Sequence, residues 1–216
     1  LMWIGLLYNL GSWIDKFIFW HFVPTSEHVI GPLRASVIYD LPVFLAYLSI
    51  IPGMAVFLVR IETDFVEHYD GFYSAVRDGG SLERIEMHRN GMVDTVRAGM
   101  FEIMKVQSIA ILLLFVAGEQ LFRWLQMSDL YLPLLYVQTI AAALQVLFLS
   151  ILTVYFYLDK RIVVLALCAG FVLGNTVFTL ISLALGPVWY GYGFALSLLL
   201  CVVIGFKALE RSFRRL

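Results

Sequence analysis

Residues 130–185 read LYLPLLYVQTIAAALQVLFLSILTVYFYLDKRIVVLALCAGFVLGNTVFTLISLAL, and this stretch decides the fold. It holds two continuous apolar runs, 130–158 and 161–185, separated by a short turn that contains Lys160 and Arg161. A helix crosses a bilayer with about 20 consecutive apolar residues. In lipid every backbone polar group needs an internal partner, so a span is either a helix or a strand of a closed barrel. Because barrel strands alternate over about ten residues, both runs predict transmembrane helices.

The rest of the chain has the same character. Of its 216 residues 61% are apolar and 14% charged, with a mean hydropathy of +0.87, whereas soluble domains are about 45–50% apolar and about 25% charged. The chain is therefore too apolar for a soluble domain, and part of its surface must contact lipid. The sequence predicts an all-α, polytopic bundle of six transmembrane helices, at about 1–22, 36–59, 99–122, 130–158, 161–185 and 189–206. The net charge of −1 gives no indication of nucleic-acid binding.

The basic residues predict the orientation of these spans. Arg34 and Arg123 fall on one side of the predicted membrane, while the other side holds Arg60, Arg77, Arg84, Arg89, Arg97, Lys160, Arg161, Lys207, Arg211, Arg214 and Arg215. Loops rich in Lys and Arg stay in the cytoplasm. We therefore expect a multi-pass membrane protein with loop 60–98 and both chain ends in the cytoplasm.

Loop 60–98 is the longest polar segment and has helical periodicity. Apolar positions recur at helical spacing, Asp78-Gly79-Gly80 is typical of a turn, and Ser81 can cap a following helix that continues into the third span. We predict a cytoplasmic helix-turn-helix insertion lying against the membrane. Its arginines Arg77, Arg84 and Arg89 are candidates for docking a partner; the alternative is a plain amphipathic connector.

Polar side chains within the first span are candidates for a substrate path. A charged residue in mid-span costs about 2.5–3.5 kcal/mol on insertion scales, so it usually faces protein or water. Asn9, Ser12 and Lys16 share one helical face, and Asp15 lies on a neighbouring stripe with Tyr8. Together they predict a polar face turned away from lipid. The alternative places Asp15 and Lys16 near the interface, with the Lys16 ammonium reaching the headgroups.

Other spans carry polar stripes as well. Asp40 and Tyr47 lie seven residues apart in the second span, which Pro42 and Pro52 are expected to break. Gln138 and Gln145 have the same spacing in the fourth span, and Asn175 lies on a stripe of the fifth. Such groups can contact sugar hydroxyls, or they can bond one helix to another.

Motifs for catalysis and metal binding are missing from the sequence. There is no nucleotide-binding glycine loop and no nucleophile elbow. The four histidines lack ligand spacing, and both cysteines, Cys168 and Cys201, lie inside apolar runs. We expect no metal and no cofactor, and an enzyme is disfavoured.

Several segments resemble one family of membrane proteins. They are GLLYNLGSWIDKFIFW at 5–20, IGPLRASVIYDLPVFLAYLSIIPGMAVFLVRIETDFVEHYDGFY at 30–73, LYLPLLYVQ at 130–138, YFYLDKR at 155–161 and GPVWYGYGFALSLLL at 186–200. Together they resemble the PelG family, the inner-membrane transporter subunit of the bacterial Pel exopolysaccharide system. That family is related to the multidrug/oligosaccharidyl-lipid/polysaccharide flippase superfamily.

The resemblance implies a role and partners. It implies export of an amino-sugar-rich polysaccharide, together with a cytoplasmic glycosyltransferase and other membrane subunits of the Pel system. Such transporters have about twelve spans in two lobes, so we expect this chain to be the C-terminal half, with an N-terminal lobe missing. Two hypotheses follow: a transporter lobe, or a non-conducting scaffold whose loop 60–98 recruits the glycosyltransferase.

Overall fold

The computed structural model describes residues 1–214, which form a helical bundle with one small β-hairpin. The α-helices are α1 (Met2–His21), α2 (Val37–Leu48), α3 (Ile50–Val59), α4 (Phe65–Arg77), α5 (Leu82–Trp124), α6 (Leu132–Tyr157), α7 (Arg161–Leu185) and α8 (Tyr192–Phe213). A π-helical turn (Arg60–Asp64) joins α3 to α4, and 3₁₀ turns at Asp129–Tyr131 and Pro187–Trp189 precede α6 and α8. The predicted basic tail extends to Arg215, which lies outside the described residues.

Five helical stretches are long and apolar enough to cross a membrane. They are Val37–Arg77, Leu82–Trp124, Asp129–Tyr157, Arg161–Leu185 and Pro187–Phe213. This confirms a polytopic helical membrane protein, but the predicted count of six is not confirmed, because α1 does not meet the same criterion. Asn9, Asp15 and Lys16 lower its hydropathy.

The second predicted span contains a break at Ser49, between α2 and α3. Pro52 has no N–H with which to bond the carbonyl of Leu48, so the helical hydrogen-bond ladder is interrupted there. Beside the interruption, the Ser49 hydroxyl donates to the carbonyl of Ala46 at 2.6 Å. Gly53 follows the break, and a side chain at this position would collide with Gln107 of α5. Glycine thus lets α3 lie close against α5.

A helical hairpin, α4 and α5, extends from the bundle. Helix α5 is 43 residues long, which gives about 65 Å at 1.5 Å per residue, against about 30 Å for the hydrocarbon core. Helix α5 is unbroken, as expected for a second hairpin helix that continues into the third span, so its N-terminal part continues the direction of that span. The placement of the hairpin against the membrane stays a prediction. The side chain of Ser81 caps α5 by accepting from the N–H of Arg84.

The bundle core lies between α6, α7 and α8. Helix α7 packs on α1 and α8, and α6 packs on α2, α5 and α8. Large aromatic side chains fill the interior, and Phe148, Phe171 and Phe194 are fully buried. Gly193 lies against the backbone of Thr179, where any side chain would collide with α7. Close packing around α7 fixes how α1 presents its polar face.

A β-hairpin connects α1 to α2 and was not predicted. Strand β1 (Glu27–Ile30) pairs antiparallel with β2 (Leu33–Ala35), and Gly31 in the turn has φ +55°. The Arg34 guanidinium donates to the Ser26 hydroxyl at 2.9 Å and to the Ser26 carbonyl at 3.0 Å. These bonds close the base of the hairpin, between the end of α1 and the start of α2.

Candidate functional site

A buried ion pair lies at the centre of the bundle, on α1. Asp15 is 0% exposed and Lys16 is 5% exposed, and Lys16 Nζ lies 3.3 Å from Asp15 Oδ2. Removing two charges from water is costly unless they are paired and further hydrogen-bonded. The neighbouring helices therefore must supply additional polar partners.

Two helices supply partners to the Asp15 carboxylate. The Tyr39 hydroxyl of α2 donates to Asp15 Oδ2 at 2.6 Å. The Asn175 amide of α7 donates to Asp15 Oδ1 at 3.3 Å and to the carbonyl of Gly11 at 2.8 Å. The carboxylate is thus held by α1, α2 and α7 together.

A second layer of polar contacts connects these groups to α6. The Gln138 amide donates to the Tyr39 hydroxyl at 2.9 Å, so that hydroxyl both donates and accepts. The Thr179 hydroxyl donates to Asn175 Oδ1 at 2.9 Å. A continuous polar cluster therefore crosses the bundle from α6 through α2 and α1 to α7.

The Lys16 ammonium lies among oxygen atoms and aromatic rings. It donates to the carbonyl of Ser12 at 2.9 Å and to the Tyr47 hydroxyl at 3.4 Å. Its Nζ also lies 5.2 Å from the ring centroid of Tyr47 and 5.1 Å from that of Phe194. Aromatic faces attract a desolvated cation. Lys16 is thus held within the bundle rather than reaching for the headgroups.

A groove of about 290 Å³ opens beside this cluster. Its walls combine aromatic rings and short polar groups, and its lining residues are Tyr8, Asn9, Ser12, Trp13, Tyr47, Ile50 and Gln145. The Gln145 amide donates to the Ser12 hydroxyl at 3.4 Å. Among residues 1–214, Gln145 Oε1 is buried without a hydrogen-bond partner. Gln145 thus brings a buried acceptor to the groove wall, and a small rotation of its side chain would offer that acceptor to a bound hydroxyl or amine.

The structure brings together most of the predicted path residues. Eight lie in the cluster or on the groove, namely Asn9, Ser12, Asp15, Lys16, Tyr47, Gln138, Gln145 and Asn175. Asn9 lies on the groove but is exposed and bonds Gly5 of its own helix. Asp40 lies elsewhere, at the start of α2, where it accepts from the Trp20 indole at 2.8 Å and from the N–H of Ser36 at 3.2 Å.

Sequence reasoning missed two members of the cluster, Tyr39 and Thr179. Tyr39 shares a helical face with the buried residues Val43 and Ala46, and that periodicity was a usable signal. The seven-residue spacing of Asp40 and Tyr47 favoured the neighbouring stripe instead. Thr179 lies one turn after Asn175, a spacing that also predicts contact on one face.

The three hairpin arginines do not share one surface. Arg77 and Arg84 are exposed beside the turn that joins α4 to α5. Arg89 is partly buried and lines a separate groove between α5 and the end of α8. Within residues 1–214, no group of three His, Cys, Asp or Glu side chains is placed to hold a metal ion.

Comparison with known families gives one match, which covers residues 1–216, to the model described as "PelG: Putative exopolysaccharide Exporter (EPS-E)". No curated protein and no solved structure matches the chain. The match extends over every helix described above, including those that carry the polar cluster. A multi-pass helical bundle with polar groups buried in its interior agrees with that description. The chain belongs to the PelG family of exopolysaccharide exporters.

Proposed function

We propose that this chain is one transporter lobe in the export of an amino-sugar-rich polysaccharide across the bacterial inner membrane. In this proposal the groove on α1, α2 and α6 belongs to the sugar path. The family supports export of an exopolysaccharide, and the chemistry of the groove supports the finer assignment.

The groove has the composition that suits a sugar chain. Sugars present apolar C–H faces together with hydroxyl and amide groups, and amphipathic rings such as Tyr8, Trp13 and Tyr47 can pack against those faces. A few placed polar groups then fix orientation. The Gln145 amide on the groove wall, whose buried Oε1 has no hydrogen-bond partner among residues 1–214, is the single observation that carries the proposal. A buried acceptor without a donor costs about 1–3 kcal/mol, and a small side-chain rotation would let a ligand supply that donor.

The ion pair behind the groove has no net charge, which favours passage of a sugar chain through the groove over tight binding of it. Asp15 and Lys16 neutralise each other, so the groove offers dipoles instead of a net charge. A path must bind its cargo strongly enough to admit it and weakly enough to release it. A neutral lining meets both conditions for a polymer with many repeated units.

The proposal counts α1 as a sixth span. A helix of 20 residues is about 30 Å long, enough for the hydrocarbon core. Its two charged residues, Asp15 and Lys16, are buried and paired, so neither has to face lipid. With six spans, and with most Lys and Arg residues on the side that holds loop 60–98, both chain ends lie in the cytoplasm. We further propose that an N-terminal lobe completes the cavity.

Gln145→Leu tests the sugar path, and Gln120→Leu is its matched control. Both changes replace an amide by a side chain of similar volume, but Gln120 is exposed near the end of α5. In cells that make the polymer, we expect Gln145→Leu to lower secreted polysaccharide at least severalfold per unit of transporter. Gln120→Leu should leave it unchanged. Equal export by the two variants at matched abundance would contradict the path.

A scaffold is the second candidate function, and the length of α5 favours it. The hairpin of α4 and α5 extends well beyond the hydrocarbon and exposes Arg77 and Arg84 at its tip. In this alternative the hairpin recruits the cytoplasmic glycosyltransferase and the spans conduct nothing. The two functions can be distinguished by where substitutions reduce export. Substitutions in the groove should reduce it only if the chain is a transporter, and substitutions at the hairpin tip should reduce it if the chain is a scaffold.

A further inference from the structure

A second groove, of about 260 Å³, lies between the N-terminal half of α5 and the last turns of α8. Its lining residues are Arg89, Asn90, Val93, Val96, Arg97, Phe206, Leu209, Glu210, Phe213 and Arg214. One part of the wall is apolar and the other carries three arginines and one glutamate. It shares no residue with the sugar path described above.

The arginines of this groove leave an excess of positive charge. Arg97 donates to Glu210 Oε1 at 3.3 Å, which holds its guanidinium beside α8. Arg89 is partly buried and donates to the side-chain oxygen of Asn90 at 3.3 Å. Among residues 1–214, Glu210 is the one acidic residue of the lining. The groove therefore favours an anion.

The end of the groove at Arg97 and Glu210 lies at the depth of lipid headgroups. The apolar run of α8 ends at Phe206, and Lys207 follows it. Glu210 lies four residues after Phe206, about 6 Å further along the helix. This places it within the interfacial layer, which flanks the hydrocarbon core by roughly 5–8 Å on each side. Arg97 is at the level of Glu210 because the two are paired. Phe206 is 36% exposed and forms the apolar side that acyl chains would meet, while Val96 and Leu209 close the buried floor of the groove.

We propose that this groove binds the headgroup of an anionic phospholipid from the surrounding membrane. Guanidinium groups match phosphate oxygens in geometry and charge, and basic pockets at the ends of membrane helices hold such headgroups. A volume of about 260 Å³ is below the roughly 300–1,000 Å³ that encloses a whole drug-sized ligand. It accommodates a phosphate with its glycerol while the acyl chains remain outside in the bilayer.

The bound lipid would fix the hairpin to the bundle. Its phosphate would contact α5 through Arg97, beside the pair with Glu210, and through the long side chain of Arg89, whose Cα lies about 12 Å further along the helix. Its acyl chains would lie along α8. This inference is independent of the sugar path, because Arg89→Gln leaves every residue of that path unchanged.

The experiment measures lipid binding to the purified full chain by native mass spectrometry in neutral detergent. Phosphatidylglycerol and cardiolipin are compared with phosphatidylcholine and with inorganic phosphate at equal concentration. Arg89→Gln/Arg97→Gln is the test variant, and Arg77→Gln/Arg84→Gln is its control, with the same loss of charge on the same hairpin. If the double variant fails to fold, Arg89→Gln alone replaces it, since that side chain holds no ion pair within residues 1–214.

We expect the anionic lipids to bind the unchanged chain and the control equally, and phosphatidylcholine to bind much more weakly. Each arginine removed should weaken binding by about fivefold, so the double variant should lose roughly 25-fold. Equal binding of phosphatidylcholine, or full retention by the test variant, would overturn the proposal. Inorganic phosphate that displaces the lipid completely at equal concentration would also overturn it, because the groove would then be a site for a soluble anion.

Discussion

The Tyr39 hydroxyl lies 2.6 Å from the Asp15 carboxylate, and it joins α2 to the one buried ion pair of the described chain. The same oxygen accepts a hydrogen bond from Gln138 at 2.9 Å. Tyr39 therefore connects α6 to the charged centre of the bundle. A phenol that both donates and accepts in a low-dielectric interior is costly to replace.

Tyr39→Phe should destabilise the protein more than Tyr155→Phe does. The first change removes a donor to a carboxylate and an acceptor for Gln138, while the second removes a single bond, at 3.1 Å, to the carbonyl of Gly205. Bonds to charged groups are worth about 1.5–3 kcal/mol, against about 0.5–1.5 kcal/mol for neutral ones. Thermal unfolding in detergent compares the two variants. An equal or larger loss in Tyr155→Phe would show that the Tyr39 bonds contribute little.

Single replacements of the ion pair should be worse than the double replacement. Asp15→Asn leaves the Lys16 ammonium without its counter-charge, and Lys16→Met does the same to the Asp15 carboxylate. Breaking one partner of a buried pair costs about 3–5 kcal/mol, whereas replacing both together is often nearly neutral. The yield of folded protein and its thermal stability would be measured for both singles and for Asp15→Asn/Lys16→Met.

The control for that comparison is Arg161→Gln, which breaks the exposed pair with Asp159. Exposed pairs contribute about 0–1 kcal/mol, so this variant should match the unchanged chain. Additive losses in the Asp15 and Lys16 double variant would contradict the pairing, because coupled residues give non-additive effects.

Cysteine labelling of intact cells tests the orientation. His28→Cys is in the exposed β-hairpin and should react with an impermeant reagent, while Glu83→Cys, at the start of α5, should react only after the cells are opened. Because Cys168 and Cys201 are buried, background labelling should be low. Labelling of Glu83→Cys from outside would reverse the topology.

Charge reversal on the hairpin tests partner docking. We expect reversals at Arg77, Arg84 and Arg89 to weaken co-purification with the cytoplasmic glycosyltransferase. Arg77 and Arg84 are exposed at the tip, whereas Arg89 faces α8. Arg77→Glu/Arg84→Glu should therefore lose more of the enzyme than Arg89→Glu.

The docking control is Arg161→Glu/Lys207→Glu, which also reverses two positive charges, but at exposed positions away from the hairpin tip. Pull-downs from detergent-solubilised membranes at matched expression would compare the variants. Undiminished recovery of the enzyme with all three variants would contradict docking. The arginines would then be solvated residues whose positive charge only keeps the hairpin in the cytoplasm.

Much of the fold follows from local pattern. Apolar runs of about 20 residues predict spans wherever they occur, because the backbone must satisfy its own hydrogen bonds in lipid. Ser81 marks the start of α5 by its capping chemistry, and Pro52 accounts for the interruption at Ser49. The β-hairpin was missed because its strands of four and three residues are too short to set a clear alternation.

The sequence by itself determined that the protein is a helical membrane protein, and it predicted that Asp15, Lys16, Gln138 and Asn175 lie on faces turned away from lipid. Only the tertiary structure decided which of these groups meet. Tyr39 lies 24 residues from Asp15 and 99 from Gln138 along the chain. Periodicity within one helix gives the face on which a side chain lies, but neither the rotation nor the depth of the neighbouring helix. Those depend on close packing, such as Gly193 against Thr179 and Gly53 against Gln107, and that packing brings Tyr39 rather than Asp40 to the buried carboxylate.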